Sequence, residues 1–312
     1  YTVINSPDEN VIENSIAELK YHADLLELLS GNQSSKMILH VGGVYGDKPA
    51  AIKRFIDVYN HRLDETIKKY LVIENDDRLY TVEDVLSIAN QIPIPVVFDN
   101  LHHEVNPSFS SMPLSDIVTL VKKTWRHEDG NIKMHYSQQD LNKRLGAHSE
   151  TIYLDQFKID YENIYSIAEA DIMLEVKDKN RSFIKVQAYL NPNNVTMEKE
   201  WARYKYWVMA RSQSTYNLLR LMFKDQKQVN PLEFYELVDN LRSSDVNLGA
   251  QVNAFQHAWG YFKKVATTSE KDKFLTMIET ITVDNIRQIY RYLYKLAEKY
   301  EVRYLLESYY FV

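Results

Sequence analysis

The fold is decided by residues 70–103, YLVIENDDRLYTVEDVLSIANQIPIPVVFDNLHH. Two short apolar runs flank a segment with helical spacing, a pattern that predicts a strand, a helix and a strand. The two runs end in carboxylates, Glu74 and Asp99, and His102 follows three residues after the second. Parallel α/β barrels carry their functional groups at the carboxyl ends of their strands. The stretch therefore predicts a metal site at that end of a parallel sheet.

Three further apolar runs, at 36–41, 131–136 and 171–176, extend this pattern along the chain. Side chains alternate along a strand, so Lys133 and His135 of the run at 131–136 lie on the same side. An acid inside an apolar strand is costly unless it is paired or bound to a metal. Each residue also has a plain interpretation, as a core histidine, a salt bridge or part of a solvated loop. The strands together gather His40, Glu74, Asp99, His102, Lys133, His135, His148 and Glu175 at one end.

Composition restricts the chemistry of such a site. The 312 residues include no cysteine, so only nitrogen and oxygen ligands are available, and these suit Mn, Zn or Fe. Two or three such ions can assist the hydrolysis of a phosphodiester. The net charge of −6 argues against a generally basic nucleic-acid binder, although it permits a local basic groove. No apolar run approaches the roughly 18–20 residues of a membrane span, so we expect no membrane partner.

Helices are predicted between the strands and throughout the last third of the chain. In the first helix, Ser6 is the predicted N-cap, Pro7 opens the helix, Glu9 completes a capping box and Gly31 ends it. A loop is predicted after Asp99. After the turn-rich NPNN segment the spacing is helical almost throughout. The predicted helices cover 49–68, 113–126, 159–168, 196–211, 213–225, 231–243, 246–265, 270–281 and 283–299.

Five segments carry a resemblance to a known family. In chain order they are LHVGGVYGDK, VIENDD, VFDNLHH, IKMH and MLEVKDK, and they resemble the UV damage endonuclease family over residues 1–190. The resemblance implies a TIM barrel that nicks DNA immediately 5′ to cyclobutane dimers and 6-4 photoproducts and so initiates excision repair. It also implies dependence on two or three divalent ions, with Mn²⁺ favoured and Zn²⁺ or another divalent ion possible.

The resemblance also assigns roles to individual residues. Glu74 matches a carboxylate that bridges two metals. Lys133 matches a lysine that can be carboxylated and then acts as an acidic group near them, so the expected catalytic residues are Glu74, Lys133 and Glu175. The remaining ligands match in three groups: Asp99, His135 and Glu175 with one of the bridged ions, His40 with the second, and His102 and His148 with the third.

Two residues are expected to contact DNA, Tyr1 and Lys48. Tyr1 matches the last residue of a His-Pro-Gly-Gln-Tyr motif that probes the lesion in family members. Because three strands precede that motif in the family, the expected fold is a TIM-barrel-type domain lacking its first strands, followed by an all-α domain. We expect the chain alone to be weakly active or inactive. A nicking rate equal to that of a protein carrying those strands would contradict this.

Residues 195–312 resemble the YbgA-like (DUF1722) helical domain, whose function is unknown. The segments that carry the resemblance are WARYKYWVMARSQSTYNLLRLM and VNAFQHAWGYFKKVATTSEKDKFLTMIE. A basic segment with Trp and Tyr interspersed is compatible with binding of single-stranded or distorted DNA. The alternative, which we favour, is a helical bundle that has an aromatic core and a solvated basic face. Its cations are Lys199, Arg203, Lys205, Arg211, Arg220, Lys224 and Lys227.

Three functions remain open from the residues alone. The first is a metal-dependent endonuclease acting on UV-damaged double-stranded DNA, expected in the cytoplasm and on the nucleoid when active. The second is a sugar-phosphate isomerase or epimerase on a related metal barrel, which needs a proton-moving acid, lysine or histidine. The third is a non-catalytic DNA- or protein-binding module. Chelator-sensitive nicking of irradiated DNA would distinguish the first from the others.

Overall fold

The computed structural model describes residues 2–29, 32, 34–225 and 229–311. Its first part is built on a sheet of five parallel strands, in which each strand pairs with the next along the chain. The prediction of a parallel α/β fold is therefore confirmed. The strands are β1 (Met37–His40), β2 (Leu71–Glu74), β3 (Val96–Asp99), β4 (Lys133–Tyr136) and β5 (Asp171–Leu174).

Helices precede, connect and follow these strands. A 3₁₀ turn at His127–Asp129 precedes β4, and a π-helical turn at Tyr161–Tyr165 joins α7 to α8. Every consecutive strand pair is parallel, so each connection returns the chain to the same edge of the sheet. The helices are α1 (Glu9–Leu29), α2 (Lys48–Arg62), α3 (Glu65–Tyr70), α4 (Val82–Ala89), α5 (Asn100–Val105), α6 (Leu114–Lys122), α7 (Leu154–Asp160), α8 (Ser166–Ala168) and α9 (Asn180–Leu190).

The predicted start of the first helix was wrong. Helix α1 begins at Glu9, and the Asp8 carboxylate accepts a hydrogen bond from the Asn10 amide at 2.9 Å. Ser6 Oγ instead accepts from the Asp8 amide at 3.0 Å. An aspartate directly before a helix caps it as well as a serine does, so the later cap prevails. Gly31, the predicted end, lies outside the described residues.

Four further differences concern the helices. The helix predicted at 49–68 is interrupted at Leu63, because the Asp64 side chain accepts from the Ile67 amide at 2.8 Å and starts α3. The loop predicted after β3 is the short helix α5. The helix predicted at 159–168 begins earlier, at Leu154, and α9 was not predicted. Side-chain caps and packing account for these differences, which hydrophobic spacing alone does not reveal.

The two central strands explain why the site can form where it does. All residues of β2 and β3 are buried, as expected for strands covered on both faces. Glu74 and Asp99 close these strands and are only 2% and 0% exposed. Two carboxylates buried at the ends of neighbouring strands require a compensating partner.

The rest of the chain is helical, as predicted, and forms a second compact unit of residues 184–312 together with 153–155. Tyr204 and Trp207 of its basic segment are buried, which supports the interpretation of these aromatic residues as core; Lys227 lies outside the described residues. No helix within the described ranges is long and apolar enough to cross a membrane. The helices of this second unit from residue 197 onward are α10 (Met197–Met209), α11 (Gln213–Asp225), α12 (Pro231–Asp239), α13 (Leu248–Trp259), α14 (Thr268–Glu279), α15 (Ile286–Lys299) and α16 (Arg303–Leu306).

Candidate metal centre

The register of the sheet brings the predicted ligands together at its carboxyl edge. His40 of β1 lies opposite Glu74 of β2, and Asp99 of β3 lies opposite His135 of β4. Glu175 follows β5 directly, and its amide donates to the Tyr136 carbonyl at 2.9 Å. Three adjacent strands therefore end in an imidazole or a carboxylate, β4 carries His135 one residue before its end, and β5 continues into Glu175.

His135 lies at the centre of the cluster. Its Nδ1 atom is 3.0 Å from Glu74 Oε1, 2.9 Å from Glu175 Oε1 and 4.0 Å from Asp99 Oδ2. Two ligand atoms bound at right angles to one ion, each about 2.1 Å away, lie about 3 Å apart. The shorter spacings therefore match the edge of a coordination polyhedron.

Three further histidines surround this centre. His102 Nδ1 lies 3.5 Å from Glu74 Oε1, and His40 Nε2 lies 3.7 Å from Glu74 Oε2. On the other side, His148 Nδ1 lies 3.6 Å from Glu175 Oε2. Glu74 thus contacts the imidazoles of three histidines, the expected position for a bridging carboxylate. All seven predicted ligands lie in one connected cluster.

Buried atoms without partners indicate that this cluster fits a cation. In the described part of the chain, Glu74 Oε1, Asp99 Oδ2 and both ring nitrogens of His135 are buried and make no hydrogen bond. The approach of His135 Nδ1 to the carboxylates is short, but its direction is not that of an N–H···O bond. Buried polar atoms are normally hydrogen-bonded, and a bound divalent ion would satisfy one oxygen each of Glu74 and Asp99 and one ring nitrogen of His135.

A group of neighbouring amides orients the ligands. Asp99 Oδ1 accepts from the His102 amide at 2.7 Å and so caps α5, which leaves Oδ2 directed to the cluster. The Asn75 side chain brackets Asp99, accepting from its amide at 3.0 Å and donating to its carbonyl at 3.1 Å. His102 Nδ1 lies 2.9 Å from the Asn75 carbonyl, which can only accept, so Nε2 is left to bind a cation. Asn75 was not among the predicted site residues, although it directly follows a strand-ending acid.

The pKa values in the absence of a cation show how strongly these groups interact. Burial raises the pKa of Glu74, but the nearby His102 and His135 outweigh burial and hold it at about 2. Burial lowers the pKa of His135, but Glu175 and Glu74 raise it to about 10. Burial likewise lowers that of His102, which Glu74 and Asp99 raise to about 9. The imidazolium groups therefore take the place of a cation when none is bound.

Cation binding is accordingly expected to release protons. Only neutral imidazole binds a metal, so His102 and His135 must each lose a proton. The apparent affinity for Mn²⁺ should rise with pH from neutral up to about 10, the pKa of His135, and less steeply above about 9, the pKa of His102. Calorimetric titration in two buffers with different ionisation enthalpies measures the proton release. Binding heats that are equal in the two buffers would contradict this expectation.

The structure does not bring Lys133 into the cluster. Its ammonium lies 2.9 Å from Asp171 Oδ2, the residue opposite it on β5, and 5.9 Å from the Trp125 ring. Lys48 begins α2 and lies 2.7 Å from Asp84 Oδ2. Tyr1 lies outside the described residues. The catalytic role of Lys133 and the DNA contacts of Lys48 and Tyr1 stay predictions.

The fold and the cluster together define the class of the first unit: a TIM-barrel-type α/β protein with imidazoles and carboxylates at its strand ends. A solved protein with this fold, reported as the crystal structure of SacUVDE, superposes with a TM-score of 0.55 at 40% identity, covering 61% of this chain and 63% of that one. Residues 1–201 match the family model described as UV-endonuclease UvdE. The chain belongs to this UV-endonuclease family.

Individual relatives agree with this assignment. A UV DNA damage endonuclease from Clostridium perfringens (strain 13 / Type A) is 37% identical over 96% of this chain and 72% of its own length. A putative UV-damage endonuclease from Acanthamoeba polyphaga mimivirus is 34% identical over 60% of this chain and 56% of its own. A UV DNA damage endonuclease from Bacillus cereus (strain G9842) is 33% identical over 60% of this chain and 58% of its own length. The chain thus spans little more than half of the latter two.

The helical unit has a family match of its own. Residues 205–312 match the model described as Protein of unknown function (DUF1722). The alignment with the Clostridium perfringens relative covers 307 residues and therefore includes this unit. The combination of the two units is shared with that relative.

Proposed function

We propose that this protein is a metal-dependent endonuclease that nicks double-stranded DNA 5′ to UV photoproducts, both cyclobutane dimers and 6-4 photoproducts. One observation carries the proposal. At the carboxyl edge of the sheet, potential ligand atoms of Glu74, Asp99 and His135 are buried and make no hydrogen bond. Membership of the UV-endonuclease family supports DNA as the substrate. Nicking beside the lesion would initiate excision repair.

The cluster would hold two or three divalent ions, with Mn²⁺ favoured and Zn²⁺ as the alternative. Bound there, such ions supply positive charge that stabilises the negative charge developing on a phosphodiester during hydrolysis. The donor set of imidazole nitrogens and carboxylate oxygens suits these metals. The residues that would hold them are His40, Glu74, Asp99, His102, His135, His148 and Glu175.

The protein's own groups prepare this site. Asn75 and the cap of α5 fix Asp99 and His102, so that neither has to reorganise when substrate arrives. The side chain of Glu175 is 32% exposed, against 3% for Glu74 and 0% for Asp99. Glu175 is therefore the carboxylate of the cluster best placed to orient an incoming water molecule and accept its proton.

The test is a nicking assay with the full-length protein on irradiated and unirradiated supercoiled plasmid, with Mn²⁺ or a chelator. We expect nicking confined to irradiated plasmid and lowered on the order of 10²–10³-fold by Glu175→Gln. Glu65→Gln is the matched control, because this side chain is 90% exposed and lies on α3. Equal nicking of both plasmids would contradict the damage specificity. A folded, metal-loaded protein that nicks neither would favour an isomerase or a binding module.

A further inference from the structure

The loop of residues 139–148 carries exposed leucines beside the metal centre. Leu141 is 91% exposed and Leu145 is 67% exposed. Leaving a leucine side chain in water forgoes the favourable free energy of burying it. Single exposed leucines are common on protein surfaces. Two on one loop of ten residues, at the sheet edge that carries the ligand cluster, require a further explanation.

The backbone of this loop is closed and braced. Gln139 and His148 form an antiparallel bridge at its base. The Asp140 amide donates to the Ala147 carbonyl at 2.7 Å, and the Gly146 amide donates to Gln139 Oε1 at 2.7 Å. Gly146 has a φ of +79°, a conformation that glycine adopts without strain. The loop therefore has a defined shape that holds its tip away from the core.

Ion pairs reinforce the bracing from outside. The Lys143 ammonium lies 2.9 Å from Asp140 and 3.0 Å from Glu150, and Lys177 lies 3.2 Å from the same glutamate. Arg144, between the two leucines, has no ion-pair partner within the described ranges. The tip thus combines exposed apolar side chains with an available guanidinium group.

The base of the loop belongs to the metal centre. His148 Nδ1 lies 3.6 Å from Glu175 Oε2. Gly146 lies close to Asp77, which follows β2. A Cβ atom added to this glycine would lie 3.2 Å from the Asp77 carboxylate. The base of the loop is therefore anchored beside Glu175 and Asp77, at the edge of the sheet that carries the ligands.

We propose that Leu141 and Leu145 form an apolar wedge that enters the DNA duplex beside the bound phosphodiester, while Arg144 contacts the backbone phosphates. This inference rests on the proposed function. Apolar side chains that insert between base steps unstack and kink DNA at a cost of a few kcal/mol per step. The cost is lowest where bases are damaged and stack poorly. The wedge therefore contributes to selection of the lesion.

Charge and area favour DNA over a protein partner. The surface area of two leucine side chains is far smaller than the roughly 800 Å² that each partner buries in a stable protein interface. Lys143 and Lys177 pair with acidic side chains, so Arg144 is the cation at the tip that suits a phosphate backbone. An apolar wedge flanked by basic residues is the arrangement used by proteins that bend DNA from the minor groove.

The test compares Leu141→Ser/Leu145→Ser with wild type in the full-length protein. The substrates are a duplex carrying one cyclobutane dimer and the same duplex with mismatched bases opposite the dimer. We expect the double substitution to lower nicking of the paired duplex about tenfold, equivalent to about 1.4 kcal/mol. On the mismatched duplex the loss should largely disappear, because the step is already open. Mn²⁺ affinity should stay unchanged. Leu28→Ser is the matched control, since Leu28 is 85% exposed on α1.

The outcomes separate the two proposals. If wild type does not nick the dimer duplex, the proposed function fails and the wedge fails with it. If wild type is active and the double substitution nicks the paired duplex at the same rate, the wedge alone is overturned. An equal loss on both duplexes also overturns it, because that result indicates a structural role. Arg144→Gln should make the slope of log K for DNA binding against log [salt] shallower by about 0.9, the loss of one phosphate contact.

Discussion

Replacing Glu74 by glutamine is expected to remove most of the bound divalent metal and to lower nicking of irradiated DNA on the order of 10²–10³-fold or more. Glu74 contacts the imidazoles of His40, His102 and His135 and is 2% exposed. Glutamine keeps the shape of the side chain but removes its negative charge. The attraction for a cation is therefore lost where water cannot screen it.

The measurement pairs elemental analysis of the purified protein with the plasmid assay. Glu65→Gln again serves as the control, since it removes the same charge from an exposed side chain. Thermal unfolding monitored by circular dichroism verifies that Glu74→Gln remains folded. A folded variant that keeps its metal and its activity would show that Glu74 is not a ligand. A variant that keeps its metal and loses activity would assign Glu74 to the substrate instead.

The position of the cluster could be predicted because it depends on only two features of the sequence. Buried runs that end in an acid or a histidine are unusual, and the carboxyl ends of parallel strands meet at one edge. Glu74 and Asp99 follow that rule directly. His148 was harder to place because it lies on a loop, yet the structure sets it 3.6 Å from Glu175.

The contacts of individual side chains could not be predicted. Asp99 both caps α5 and faces the cluster, which hydrophobic spacing does not show, so a loop was predicted after β3. The partner of Lys133 is Asp171, which only the register between β4 and β5 reveals. The exposed leucines of the 139–148 loop likewise gave no signal in the sequence, because exposure depends on the path of the folded chain.

The helical unit hides a charge that its sequence does not reveal. Lys185 is fully buried, and its ammonium donates to both carboxylate oxygens of Asp239, at 2.9 and 2.7 Å. Arg242 donates to the same carboxylate at 3.0 Å. Lysine is almost never fully buried unless it is paired. Asp239 is therefore the counter-ion on which this part of the unit depends.

Asp239→Asn is expected to lower the free energy of unfolding of the helical unit by about 3–5 kcal/mol, because it removes the carboxylate that pairs with the buried Lys185 ammonium. Urea unfolding followed by tryptophan fluorescence measures this. Trp201, Trp207 and Trp259 lie in the helical unit, so the signal reports mainly on that unit. Glu236→Gln, an exposed position on the same helix, is the control.

A second variant separates the lost charge from lost packing. Lys185→Met/Asp239→Leu removes both charges and replaces them with apolar groups, so it should recover most of the stability that Asp239→Asn loses. Recovery would show that burying the ammonium without the Asp239 carboxylate causes the loss. If the single substitution lowers the free energy of unfolding by less than about 1 kcal/mol, the pair contributes no more than a surface salt bridge. In that case the ammonium of Lys185 must be stabilised by other groups, such as the Tyr235 ring 5.4 Å away.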